Sequence, residues 1–92
     1  MNYVSIRCVA DGYPTPIYKW YKEEYVNNKL TSRYIDPLSD NRITQTDGTL
    51  TIYNPQQTQD RGKYHCTAQN KFGIIISQTV QLSFGCKALL TV

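Results

Sequence analysis

Four stretches of this chain alternate apolar and polar side chains one for one. Val4, Ile6, Cys8 and Ala10 are interleaved with Ser5 and Arg7, and Tyr18 and Trp20 with Lys19 and Tyr21. Leu50 and Ile52 are interleaved with Thr49, Thr51 and Tyr53, and Tyr64, Cys66 and Ala68 with His65, Thr67 and Gln69. A period of two marks a strand with one buried face, whereas no segment longer than about ten residues carries an unbroken i, i+3, i+4 apolar stripe. The core must therefore be closed by sheets.

Punctuation between these stretches sets the strand order. Gly12, Pro14 and Pro16 stop the first strand, and a second strand follows over residues 17–22. Residues 23–40 are polar and weakly periodic, and read as a long connection holding one short edge strand. Residues 42–46 and 49–54 flank Asp47-Gly48, the strongest hairpin signal in the chain. Residues 55–62 form a polar crossover, and 63–70 a further strand. After a turn at Asn70-Lys71-Phe72-Gly73, residues 74–84 make the last strand, with Val80, Leu82 and Phe84 on one face. Six or seven short strands at even spacing and no helix imply an all-β fold, a β-sandwich.

Ninety-two residues suffice for one core only. A hydrophobic share of 40% with 18% charged residues excludes a disordered or low-complexity chain. The net charge of +3 is scattered from Arg7 to Lys87 rather than gathered on one face, which argues against nucleic-acid binding. No run approaches the ~20 apolar residues of a membrane span. Eight Tyr are unusual for this length; with Trp20, Phe72 and Phe84 they carry much of the apolar surface and reinforce the β reading.

Cys8, Cys66 and Cys86 allow three pairings with one thiol left over. His65 is the sole histidine and no Cys-x-x-Cys occurs, so a tetrahedral zinc site, which takes about four such ligands, is excluded and no cofactor is implied. A bridge between distant cysteines requires an oxidising compartment. Residues 1–30 nevertheless lack a signal-peptide pattern, because Arg7, Asp11 and Lys19 interrupt any apolar run. The expectation is a fragment of a longer secreted-type protein.

Four residues then fall into one register. Cys8 and Cys66 occupy inward strand positions, Trp20 lies twelve positions after the first, and Tyr64 stands two before the second, preceded by Asp60 and Gly62. Over residues 3–84 the chain resembles an intermediate-set (I-set) immunoglobulin domain. Gly12-Tyr13-Pro14-Thr15-Pro16 is similar to that set's loop before the tryptophan strand. Asp60-Arg61-Gly62-Lys63-Tyr64-His65-Cys66 is similar to its Asp-x-Gly-x-Tyr-x-Cys motif, and Ala68-Gln69-Asn70-Lys71-Phe72-Gly73 to its Ala-x-Asn-x-x-Gly hairpin. The runs 48–55, 64–73 and 81–85 further resemble the first immunoglobulin domain of the contactins, which are neural and junctional adhesion proteins. Two departures stand out. Only Met1-Asn2-Tyr3 precede the Val4 strand, where the family has an earlier one, and residues 86–92 do not continue like the family's next domain. The expected organisation is an I-set domain over 1–85, lacking its first strand, and a tail over 86–92.

The resemblance implies a Cys8–Cys66 bridge between two sheets. It also implies a core built on Trp20, Tyr64 and Leu50, with the Tyr64 hydroxyl returning to the backbone, and a salt bridge between Arg42 and Asp60. Cys86 has three readings: a by-product of truncation, an intermolecular thiol, or a reactive site for which Lys87 is the one nearby support. As catalytic candidates Ser5, His65 and Asp60 share no nucleophile-elbow context, so no enzyme is expected.

The outward aromatics Tyr21, Tyr25, Tyr34 and Tyr53 suit either a contact surface or an ordinary strand face. Asn27, Asn28, Asn41, Asn54 and Asn70 all fail the sequon rule, leaving strand faces bare of N-linked sugar. Lys19, Tyr21, Lys63, His65 and Thr67 fall on one outer face and form the candidate partner contact. By resemblance, the chain is an extracellular adhesion module of a lipid-anchored, contactin-like protein on the outer side of the plasma membrane. Its implied partners are other immunoglobulin-type or neurexin-type surface proteins and, through a four-domain horseshoe, neighbouring domains of its own chain. No direct membrane insertion is implied. The competing reading is an intracellular structural module of a giant muscle-type scaffold.

Overall fold

The computed structural model describes residues 2–83. Eight strands form two antiparallel sheets: β1 (Tyr3–Arg7), β2 (Ile17–Val26), β3 (Lys29–Tyr34), β4 (Ile43–Thr46), β5 (Thr49–Tyr53), β6 (Gly62–Asn70), β7 (Gly73–Ile76) and β8 (Val80–Leu82). One sheet has the order β1-β5-β4; the other runs β3-β2-β6-β7, with β8 also paired to β6. The alternation read from the sequence sets which faces meet. Trp20, Ile35, Leu50, Ile52, Tyr64, Cys66 and Leu82 form the buried cluster, and Val4, Ile6, Cys8 and Ile43 pack against it.

The Cys8–Cys66 bridge and the Trp20 indole tie the sheets together. Cys8 and Cys66 are joined by a disulfide across a Cα–Cα distance of 6.5 Å. The Trp20 indole donates to the Gly48 carbonyl at 3.0 Å, and the Cys8 amide donates to the same oxygen at 2.9 Å. That convergence requires glycine at 48: a Cβ there would stand 2.0 Å from the Cys8 carbonyl oxygen and 3.2 Å from the Tyr18 ring. Asp47, with φ of 52°, completes the turn.

Three expectations are corrected. The chain is not free of helix: α1 (Gln57–Asp60) is a single turn in the crossover, held by the Gln56 amide donating to Asp60 Oδ2 at 2.7 Å. A 3₁₀ turn at Pro37–Ser39 is capped by Asp36, which accepts from the Leu38 amide at 3.0 Å. The second strand does not stop at 22. It runs to Val26 because Asn27 and Asn28 take φ of 53° and 63°, the pair of positive values a tight primed hairpin requires, and β3 returns alongside.

The last strand is broken in two. Between Thr67↔Ile76 and Tyr64↔Val80, three steps along β6 are matched by four along the partner, which marks an inserted residue. Ser77 holds the break: its hydroxyl accepts from the Cys66 amide at 2.9 Å and donates to the Gln78 carbonyl at 2.9 Å. The inward reading of Phe84, and those of Cys86 and the tail, fall outside the described residues.

Candidate functional site

Catalytic grouping can be tested by position. Ser5 lies on the outer face of the three-stranded sheet, 2.8 Å from the Thr51 hydroxyl. His65 lies on the outer face of the other sheet, and Asp60 is buried at one end of the sandwich. The three do not converge. Among the described residues no three His, Cys, Asp or Glu stand close enough to hold a metal ion.

At the end of the sandwich a polar cluster surrounds a cavity of about 220 Å³ lined in part by Lys22, Arg42, Asp60 and Tyr64. Arg42 spans the Asp60 carboxylate with both terminal nitrogens, at 2.9 and 3.3 Å, and reaches Asp40 at 3.4 Å and the Asn54 carbonyl at 3.1 Å. Burial pushes the Asp60 carboxyl up, but the Arg42 hydrogen bond, the Gln56 amide and the Arg42 and Lys22 charges outweigh it. The group is held below its ordinary 3.8. The Tyr64 hydroxyl donates to the Asp60 carbonyl, and burial next to the Asp60 charge pushes its pKa up to about 12. Lys22 turns inward and is 8% exposed; its amine donates to the Gln59 carbonyl, and burial pulls its pKa down. Every charged head here is engaged by the fold's own groups. The cluster closes the sandwich and offers a ligand little.

The outer face of the five-stranded sheet is organised differently. Register places Tyr21 opposite both Tyr34 and His65, and Lys19 opposite Thr67. The Tyr21 ring stacks on His65 at 5.2 Å and 11°, and tilts against Tyr34 at 5.8 Å. Lys19 Nζ stands 6.0 Å over the Tyr34 ring, and Glu23 Oε2 lies 3.7 Å from His65 Nδ1. The face is thus a row of three rings in contact, with Lys19 at one side and Lys63 exposed at the other.

Of the five residues proposed for partner contact, Lys19, Tyr21, Lys63 and His65 share this surface. Thr67 lies on the same face by register, opposite Lys19, but is nearly covered. It is 8% exposed and flanked in the ladder by Lys19 and Ile76. Tyr53 sits on the other sheet against Tyr3 at 6.0 Å. Sequence reasoning passed over Glu23 and Leu30, both in a stretch read as connection; the signal that could have found them is Asn27-Asn28, two residues tolerant of positive φ flanked by Tyr25-Val26 and Lys29-Leu30.

A family model described as Immunoglobulin domain matches residues 2–70. The chain belongs to the immunoglobulin-domain family. This immunoglobulin domain is 51% identical over 85 residues to Contactin of Drosophila melanogaster, covering 92% of the chain and 6% of that protein. It is 38% identical over 81 residues to Contactin-4 of Homo sapiens, covering 88% of the chain and 7% of the relative. The domain therefore spans a small part of the curated relatives it matches. Among solved structures, the N-terminal four Ig domains of Dscam1 isoform 4.4 superpose with a TM-score of 0.75 at 29% identity, covering 90% of this chain and 20% of that one. The N-terminal Ig1-2 module of Drosophila receptor protein tyrosine phosphatase DLAR gives 0.72 at 34%, covering 88% and 36%. The resemblance is to contactins in sequence and to multi-domain immunoglobulin proteins in structure.

Proposed function

We propose that this immunoglobulin domain is an extracellular recognition module of a contactin-like, lipid-anchored adhesion protein, acting by binding rather than by catalysis. The observation that carries the reading is the outer face of β3-β2-β6: contiguous Tyr34, Tyr21 and His65 rings, flanked by Lys19 and Lys63, on a surface without sequons. Aromatic side chains supply contact area at low entropic cost, while lysines steer an acidic partner. The similarity to contactins supports an extracellular setting and partners among immunoglobulin-type or neurexin-type surface proteins and sibling domains. One domain of this kind gives a weak contact, which avidity across many copies strengthens.

The test is a cell-aggregation assay on the full-length parent carrying Tyr21→Ala with His65→Ala. Adhesion should fall while the domain's melting temperature holds. Adhesion at the parental level with an unchanged melting temperature would remove this face from the mechanism.

A further inference from the structure

We propose that the tip of the β2–β3 hairpin is the anchor of this recognition face, with Tyr25 and Leu30 entering an apolar recess in a partner protein whose rim is acidic. The inference rests on the adhesion reading above and adds the anchoring residues and the chemistry of the partner.

Geometry sets the tip apart. The register between β2 and β6 runs from Ile17↔Gln69 to Lys22↔Tyr64, whereas β2 stays paired with β3 out to Val26↔Lys29. The last residues of β2 therefore continue with β3 as a two-stranded ribbon. Tyr25 and Leu30 are directly opposite one another on it and are 76% and 57% exposed, with Val26 exposed beside them. A recess of about 310 Å³ lies alongside, lined by Glu23, Tyr25, Leu30, Gly62, Lys63 and Gln81. Large apolar side chains on a ribbon are unfavourable in water, and a bare two-stranded ribbon has little stability of its own.

This ribbon is braced nonetheless. The Thr31 hydroxyl donates to the Glu24 carbonyl at 3.1 Å, Arg33 pairs with Glu24 at 3.0 Å, and the double-Asn turn locks the end. A pre-ordered aromatic–aliphatic pair loses little freedom on binding, which is the usual character of an interface hot spot.

Charge selects the occupant. Glu24 is held by Arg33, and Glu23 faces His65 from one side and shares the recess with Lys63. Lys19 and Lys63 remain on the outer face without an ion-pair partner among the described residues. A second copy of the domain would bring the same lysines against them. A lipid surface would gain only a weak attraction from each lysine and would make no use of the shaped recess. An acidic-rimmed protein matches both features.

The experiment uses the full-length parent on beads and, as probe, cells that adhere to it. Tyr25→Ser with Leu30→Ser should lower adhesion about tenfold or more, Lys63→Glu should lower it with a reduced salt dependence, and Tyr53→Ser on the other sheet should leave it unchanged. Melting temperatures of all variants should match the parent. A benzophenone amino acid at position 25 should cross-link to a cell-surface protein at a segment rich in Asp and Glu. Cross-linking to the parent itself, or tip-dependent binding of the beads to phosphatidylserine vesicles, overturns the proposal. If adhesion survives the double tip variant but fails with Tyr21→Ala and His65→Ala, the tip is wrong and the adhesion reading stands. If it survives both, the adhesion reading falls with it.

Discussion

Replacing Asp60 by Asn keeps the shape of the buried carboxyl and removes its charge. Arg42 then keeps one good hydrogen bond but loses the ion pair, and the side chain is only partly exposed, so water compensates in part. Removing one member of a fully buried pair costs about 3–5 kcal/mol, and exposed pairs are worth about 0–1. A pair whose carboxylate is buried and whose guanidinium is a quarter open should fall between, near 2 kcal/mol. Asp60→Ala should cost about 1 kcal/mol more, because the Gln56 amide at the start of α1 also loses its acceptor. For a domain of this size, each kcal/mol lowers the melting temperature by about 4–8 °C, so the Asn variant should melt roughly 8–16 °C lower.

The acid dependence has a definite sign. The folded carboxyl sits below its ordinary 3.8, so the unfolded chain takes up the proton first as pH falls. The stabilisation is complete above that value and is lost as pH drops through the lower folded pKa. Urea titrations at neutral pH and below pH 4 should therefore show the parent and Asp60→Asn converging in acid. Equal stability of the two at neutral pH would refute the assignment of this pair as a stabilising contact.

Three further outcomes are expected. Reduction should lower stability by about 4 kcal/mol on the loop-closure model, and peptide mapping of the oxidised protein should give a Cys8–Cys66 linked pair; a link from Cys86 to either residue would be the contrary result. Gly48→Ala should abolish the cooperative melting transition in circular dichroism, since its methyl has no room beside the Cys8 carbonyl. Ser77→Ala should cost about 1–2 kcal/mol and speed hydrogen exchange at the Cys66 amide, which loses its hydroxyl acceptor.

Alternation made the buried faces legible. Trp20, Leu50, Ile52, Tyr64 and Cys66 each fall on the side that the period-two pattern assigns, because a half-buried strand leaves its polarity printed in the chain. The β2–β3 ribbon was hidden because Glu23 and Glu24 extend a strand by main-chain pairing and a turn rather than by burial. α1 is too short to carry a helical period, and its turn is held by a carboxylate four residues from the amide it caps. The break at Ser77 depends on a hydroxyl meeting an amide on another strand. Thr67 shows the limit of face assignment: its polarity says outward, while its accessibility is decided by Lys19 and Ile76 on two flanking strands. The candidate surface is a property of register across three strands, and register is not written in any one of them.

The bridge also fixes how the domain bears load. Tension applied along the chain at its two ends enters β1, crosses from Cys8 to Cys66 through sulfur, and leaves by way of β7 and β8. Everything between the two cysteines is short-circuited, including the β2–β3 tip, the Tyr21–His65 stack's β2 half and the Arg42–Asp60 pair. Of the described residues only 2–7 and 67–83 can be drawn out, a contour of roughly 80 Å at full extension, part of which the folded strands already span. With β1 peeled from β5 and β7–β8 from β6, the hairpin that carries Tyr25 and Leu30 would still lie inside the covalent loop, so the domain yields a short fixed length before the recognition tip itself is pulled.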